Sequence, residues 1–397
     1  MPTGTPFFPR TSELNKGLNW RQWAGYFAAT CYQDFHQPEY AAIRNGSALI
    51  DVSPLYKYFV EGADATTLVD RFITRNARKI AIDQVVYTPW CDEEGKVLQE
   101  GTIMRLEEDR FQINAAEPAI RWLRLNASGL QVEIADKSAE IAALAVQGPT
   151  SRALLSEAAG GSEIESLGFF RSTTCTIGDV QVVVSRTGYT GDLGYELWIP
   201  ADQTLRVWDV LMQVGQRHGA TPCGLWALDI ARIEAGFILI DVDYISAEHA
   251  LIPSQKSSPY ELGLGWAVKL RKKGRCVGQA ALAQEKVSGS AWQLVGLEIP
   301  WEPLEDLYLQ AGLMPELPAV AWRDPVPVYA DGRQVGRATS GCWSTTLKKS
   351  IALASVETPY SRPGTVLNME VTVDYSRRQA PAQVVSLPFF RPDRMRG

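Results

Sequence analysis

Residues 185–200, SRTGYTGDLGYELWIP, carry three glycines and two tyrosines, and they end in a strand with an acid at its middle. Side chains alternate sides along a strand, so Glu196 and Trp198 share one face while Tyr195, Leu197 and Ile199 take the other. A carboxylate so placed either points into water from a hairpin edge or accepts hydrogen bonds from a group held against the sheet. Other chemistry is scarce. Only three histidines are present, and His218 follows a helix whose C-terminal dipole favours its cation, a structural role. Cys31, Cys91, Cys175, Cys223, Cys276 and Cys342 lie far apart with no C-x-x-C, so neither a disulfide framework nor a metal site has its usual spacing. Buried free thiols are the expectation. No G-x-G-x-x-G follows a strand: GLGWAV at residues 263–268 lacks the third glycine and comes after a helix-like segment. Walker A, H-E-x-x-H and G-x-S-x-G patterns are missing too, which leaves the usual nucleophile-and-histidine enzymes hard to build.

The elements that would position these residues interleave helix and strand without a regular βα repeat, which predicts an α+β fold. A helix is expected over residues 38–44, stopped at Asn45-Gly46 and followed by a buried strand over 48–52. A second helix is expected to start at an Asp202 N-cap, with Leu205, Trp208 and Met212 on one face. A third runs from near Pro222 to Gly236 and sets Asp229 and Arg232 one turn apart, able to pair. Beyond Gly289 the character changes to short strands punctuated by proline, WQLVGLEI, DPVPVYADGRQVGRATS, SIALASVE and EVTVDY, with ADGRQ as a hairpin turn. These predict a small β-barrel or sandwich, with VSGSAW as the linker before it.

At 397 residues the chain is long enough for two or three domains. No segment approaches the ~20 apolar residues that span a bilayer, so a membrane role is not expected. A net charge of −6 argues against broad nucleic-acid binding, which needs a basic face. The basic runs KLRKKGR and FFRPDRMRG read as a solvated turn and a frayed tail. The opening residues lack a basic segment followed by an apolar run, so a cytoplasmic location is expected.

One further pattern runs through nearly the whole chain. Besides residues 185–200, the stretches AGYFAATCYQ with EYAAIRNGSALIDVS, YTPWCDEEGKVLQEGTIMRLEEDRFQINAA, ALAVQGPTSRALL, GLWALDIARIEAG, SPYELGLGWAVKL, ATSGCWSTTLKKSIALASV and PFFRP occur in that order. Together they resemble the folate-dependent aminomethyltransferase family, the T-protein of the glycine cleavage system and its demethylase relatives. The resemblance implies a folate-binding region of two intertwined α+β domains over 1–288 and a C-terminal β-barrel over 289–397, arranged as a ring with folate in a central channel. It implies an enzyme that uses tetrahydrofolate. Glu196 would accept paired N–H bonds from the amidine-like edge of the pterin, as carboxylates accept a guanidinium fork. Tyr189 matches the tyrosine lining that pocket, Asn114 an asparagine within it, and Arg391 an arginine near the folate tail; Arg232 is retained at the site. The glycines would let backbone approach the ligand.

Three departures bear on the reaction. Where the T-proteins carry an acidic pair, this chain reads Gln99-Glu100. Glu100 would still accept a proton, but from a displaced carboxylate, and a displacement of ~1 Å can cost ~10²-fold in rate; alternatively it faces solvent at a turn. On GLWALDIARIEAG, Trp226 replaces a glycine and Leu228 an arginine. With Tyr56 and Trp90, Trp226 would line the one-carbon donor, where aromatic rings attract methylated cations; alternatively the three pack a core. The resemblance thus implies methyl or aminomethyl transfer from a small donor to folate N5, with Glu100 moving a proton and a carrier protein or flavoprotein as possible partner. Two rival readings are a strict T-protein acting on a lipoyl carrier and a non-catalytic folate-binding protein of the iron–sulfur assembly type. The latter's essential cysteine aligns with Arg275, not Cys276.

Overall fold

Alternation of apolar residues builds two sheets from a chain that crosses between them. The computed structural model describes residues 1–272 and 274–396. A six-stranded sheet takes the order Ser172–Ile177, Val180–Ser185, Gly194–Pro200, Ile141–Gln147, Ser47–Asp51, Ala220–Pro222. A five-stranded sheet takes Gln84–Cys91, Val97–Glu107, Arg110–Ala115, Tyr56–Glu61, Glu133–Asp136. The chain leaves the first sheet after Asp51 and returns at Ile141, so the two α+β units are intertwined. A third, three-stranded sheet is formed by Thr3–Gly4, Tyr26–Ala29 and Trp20–Trp23.

Both faces of the six-stranded sheet are buried. Tyr195, Leu197 and Ile199 pack with Leu144, Val146, Val182 and Val184 against Trp208 and Leu211. Trp198, on the opposite face, packs with Ala143, Ala145 and Ile50 against Ile43, Ala227 and Ala231, and against Cys342, Ile351 and Leu353 of the C-terminal region. The two-residue period therefore directs Glu196 towards the helices Gln37–Asn45 and Leu225–Glu234. Six strands close the C-terminal barrel, in the order Trp292–Ile299, Lys349–Glu357, Arg333–Ser344, Val326–Ala330, Val366–Val373, Ser376–Val385. The ADGRQ turn joins two of them through Asp331 and Gly332, both at positive φ. All six cysteines are free and buried, and among the described residues no helix is long and apolar enough to cross a membrane.

Some local expectations need correction. The helix Thr204–Gly215 begins after a 3₁₀ turn at Ala201–Gln203, and Asp202 forms no side-chain cap. Its buried stripe is Thr204, Val207, Trp208, Leu211 and Gly215, spaced i, i+3, i+4, i+7 and i+11, which turns Leu205 and Met212 partly outwards. The third helix runs Leu225–Glu234, because Pro222 is held in a strand and Gly224 lies tight against Thr30. A helix at Trp301–Gln310, not among those expected, packs on the barrel through Leu307.

Most described basic residues of both runs are exposed, as expected, but one residue of each is tied to the protein. Lys272 is buried, and its Nζ donates to Ile73 O at 2.8 Å, Arg75 O at 3.0 Å and the Asp70 carboxylate at 3.3 Å. Lys273 in the same run lies outside the described residues. At the other end, Phe390 N donates to Glu234 O at 2.8 Å, and Arg394 grips Asp192 through Nε at 2.7 Å and Nη2 at 2.8 Å. The tail is thus docked on the N-terminal region.

Candidate active site

The helix Leu225–Glu234 holds the first functional side chain. Arg232 pairs with Asp229 at 2.8 Å, as the one-turn spacing predicts, and is almost fully buried. Left-handed Gly236 then turns the chain back, so that Phe237 N donates to Arg232 O and Asp243 reaches Arg232 Nη1 at 2.5 Å. Asp243 also accepts from Leu239 N at 2.8 Å and from the barrel hydroxyls of Thr339 and Ser340 at 2.6 Å each. Burial alone would lower the pKa of Arg232, but Asp243 and Asp229 outweigh it and keep the cation. Its Nη2 is buried without a hydrogen-bond partner.

This turn-back segment fixes two more residues. Tyr189 donates to the Ile238 carbonyl and stacks on Phe237, with centroids 5.6 Å apart and planes 24° apart. Burial pushes its phenol far above the usual range. Tyr244, one residue beyond Asp243, donates its hydroxyl to Glu100 Oε2. Glu100 lies on the strand Val97–Glu107, opposite Pro89, and is only 9% exposed. Burial raises its pKa to about 7 against the lowering effect of the Tyr244 bond, and Asp243 and Asp241 push the same way as burial. The solvent-facing alternative for Glu100 is therefore overturned. Gln99 is also buried and spends Oε1 on Glu117 N at 3.2 Å. Asn114, on the neighbouring strand, accepts from Gln112 at 2.8 Å and donates to Thr102 at 3.0 Å.

Glu196 is half-buried and takes its hydrogen bond from Thr187 on Oε2. A relay stands behind it: Trp198 Nε1 donates to Ser185 Oγ at 3.2 Å, which lies 2.8 Å from Thr187 Oγ1. Burial raises the pKa of Glu196, partly offset by Thr187. Its Oε1 has no partner among the described residues. The glycines play a different part from the one expected. A Cβ on Gly188 or Gly194 would come within 2.0–2.2 Å of the Gln147 side chain, so these two admit a protein amide rather than a ligand. That amide ties the loop, donating to Thr187 O at 3.2 Å and Tyr195 O at 3.1 Å.

Three expected site residues have packing partners of their own. Trp90 is fully buried and meets Phe72 edge-on at 5.7 Å in the core of the five-stranded sheet. Tyr56 stacks on Tyr58 at 6.2 Å, and Trp226 meets His36 at 6.3 Å. No described ring pair joins the three, although Tyr56 packs against the cluster that contains Trp90. Arg391 is exposed, and the tail arginine that reaches a carboxylate is Arg394. Sequence reasoning missed Tyr244, Asp243 and Thr187; the only local signal was the polarity of Asp241-Val-Asp243-Tyr244 after the third helix.

Buried carboxyls, phenols and an arginine thus converge where the two α+β units meet the barrel. Comparison with known proteins gives the class. Residues 12–272 match the GCVT N-terminal domain and residues 310–391 the glycine cleavage T-protein C-terminal barrel domain. The chain belongs to the glycine cleavage T-protein family. It is 32% identical to an aminomethyltransferase of Halothermothrix orenii over 97% of this chain and 99% of that protein. To an aminomethyltransferase of Symbiobacterium thermophilum it is 36% identical, over 89% and 88%. It is also 33% identical to a trimethylamine-oxide aldolase of Ruegeria pomeroyi, matching over its whole length but only 48% of that longer protein. The structure of aminomethyltransferase T from Bartonella henselae shares the fold, with a TM-score of 0.82 over 98% of both chains at 22% identity.

Proposed function

We propose that this chain moves a methyl or aminomethyl group from a small donor to N5 of tetrahydrofolate and releases the demethylated or deaminated product. The observation that carries the reading is Glu100, a buried carboxyl held near neutrality in a chain of this family. Near pH 7 both its protonation states are populated, which suits an acid that must accept and return one proton.

Two orphaned groups fit a folate. Among the described residues Glu196 has no donor to Oε1, and Arg232 keeps Nη2 buried without an acceptor. When bound, tetrahydrofolate supplies the nitrogen that receives the one-carbon unit. Glu196 orients the pterin through paired N–H bonds, which also offset the burial that disfavours its ionised form. Tyr189 offers a flat face already fixed by Ile238 and Phe237. Asn114 belongs to the same pocket on the resemblance, with its remaining hydrogen-bonding capacity. Arg391 is not part of this proposal.

A free small donor is favoured over a lipoyl arm. Leu228 sits in an apolar cluster where the T-proteins carry an arginine, and Gln99 is committed to Glu117 N rather than ionised. A relative named for trimethylamine oxide supports a methylated amine as donor. A flavoprotein or a carrier protein is the partner such a reaction would use. The division into a folate region over 1–288 and a barrel over 289–397 goes with this reading, as does a cytoplasmic location, which six unpaired cysteines support.

Calorimetric titration of tetrahydrofolate into wild type and Glu196→Ala tests the proposal. Micromolar-class binding lost in the variant is the expected result, followed by 5-methyltetrahydrofolate formation from methylated ammonium or sulfonium donors. No binding to the wild type overturns the reading. Turnover only with a lipoyl carrier protein reassigns the donor.

A further inference from the structure

Glu100 is one methylene longer than the aspartate that the resemblance expects, and a longer side chain has an additional rotor to fix. The structure provides the means on a residue far away in sequence. The hydroxyl of Tyr244 donates to Glu100 Oε2, and among the described residues no other side chain donates to this carboxyl. Tyr244 itself cannot swing. Its ring is fully buried among Cys91, Val97, Ile238, Ile240, Leu262 and Leu282. Its backbone bridges Ile240. Its neighbour Asp243 is locked by Arg232, Leu239 N, Thr339 and Ser340.

We propose that Tyr244 is the positioning residue for Glu100: its phenol anchors Oε2 so that the extended side chain presents Oε1, and only Oε1, to the proton that must move. The inference rests on the reading of Glu100 as the proton-transferring group. One side chain thereby passes the docking of the barrel, through Thr339, Ser340 and Asp243, to the acid. The proton accepted at Oε1 makes Glu100 a neutral carboxyl, and returning it to product or water restores the carboxylate; Tyr244 keeps its own proton throughout, because burial and the neighbouring Glu100 both hold the phenol far above its ordinary range.

The charged and titratable groups facing Glu100 come from several elements. Tyr244, Asp243 and Asp241 lie on the turn-back segment, Tyr87 on the strand Gln84–Cys91 and Tyr189 on the glycine-rich loop. Among these side chains only Tyr244 favours the ionised carboxylate, beside a backbone N–H that does the same; the aspartates oppose it. Removing the Tyr244 hydrogen bond must therefore raise the pKa of Glu100, and strengthening it must lower that pKa.

The decisive measurement is the infrared carboxyl band of Glu100, assigned as the band missing in Glu100→Gln and titrated in the ligand-free protein. In Tyr244→Phe the midpoint should rise by about one pH unit, the scale of one lost hydrogen bond to a charged group. With folate and donor present, the acid limb of the rate profile should move up by the same amount, because the base form is then populated only at higher pH. At pH 7 kcat should fall about tenfold while the KM for folate stays within about twofold, the pattern of a misplaced base rather than a lost binding contact. Should the phenylalanine variant fail to fold, 3-fluorotyrosine at position 244 keeps the packing and donates more strongly, so the midpoint should fall. An unmoved midpoint, or a shift opposite in sign in either protein, overturns the proposal. Failure of the folate reading shows itself separately, as wild type that binds no tetrahydrofolate while the infrared midpoint still responds to position 244.

Discussion

Replacing Glu100 by glutamine should stabilise the protein in alkali and silence it at every pH. The carboxyl is raised from an ordinary 4.5 to about 7, chiefly by burial. Below about pH 4.5 the acid is neutral in both folded and unfolded chains and the wild type carries no penalty. As pH rises from 4.5, the unfolded chain gives up its proton while the folded one retains it, so stability falls until the pH passes about 7. Each pH unit in that window is worth ~1.4 kcal/mol, which over about 2.5 units amounts to ~3 kcal/mol. Glutamine keeps the shape, keeps an acceptor for Tyr244 and has no charge to bury. The variant should therefore match the wild type in chemical denaturation at pH 4.5 and exceed it by ~3 kcal/mol at pH 8.5, while turnover falls ~10²–10⁴-fold. A stability difference that does not change between those pH values would refute the burial argument. Full turnover in the variant would refute the role of Glu100 as the proton acceptor.

Other expectations follow from the same geometry. Asp243→Asn leaves Arg232 with a buried, half-compensated charge and should lower stability by ~3–5 kcal/mol in thermal or chemical unfolding, well beyond the effect of a surface carboxylate. Trp90→Ala should cost ~3–5 kcal/mol by opening a cavity beside Phe72 yet leave the folate Kd within about twofold by calorimetry; a tenfold loss of affinity would return Trp90 to the site. Arg394→Ala should free the C-terminal tail to limited proteolysis, whereas Arg391→Ala should not, because only Arg394 is paired, with Asp192.

What the sequence determined by itself is what depends on local order. Alternation in YELWIP set Tyr195, Leu197 and Ile199 in one core and Trp198 in the other, and the one-turn spacing of Asp229 and Arg232 made their ion pair, since both are consequences of backbone geometry within a few residues. The short strands after Gly289 closed into a barrel as their turns required, and motifs held in order along the chain carried the family. Long-range packing lay beyond it. The tertiary structure decided that Gly188 and Gly194 yield to Gln147, that Lys272 is buried and Arg394 pairs with Asp192, and that Tyr56 and Trp90 share one core while Trp226 meets His36. It also decided that Glu100 meets a tyrosine 144 residues away, and so the state of its proton. A carboxylate's position in the chain says what it can do; its desolvation and its partners, which exist only once distant segments converge, fix the pH at which it does it.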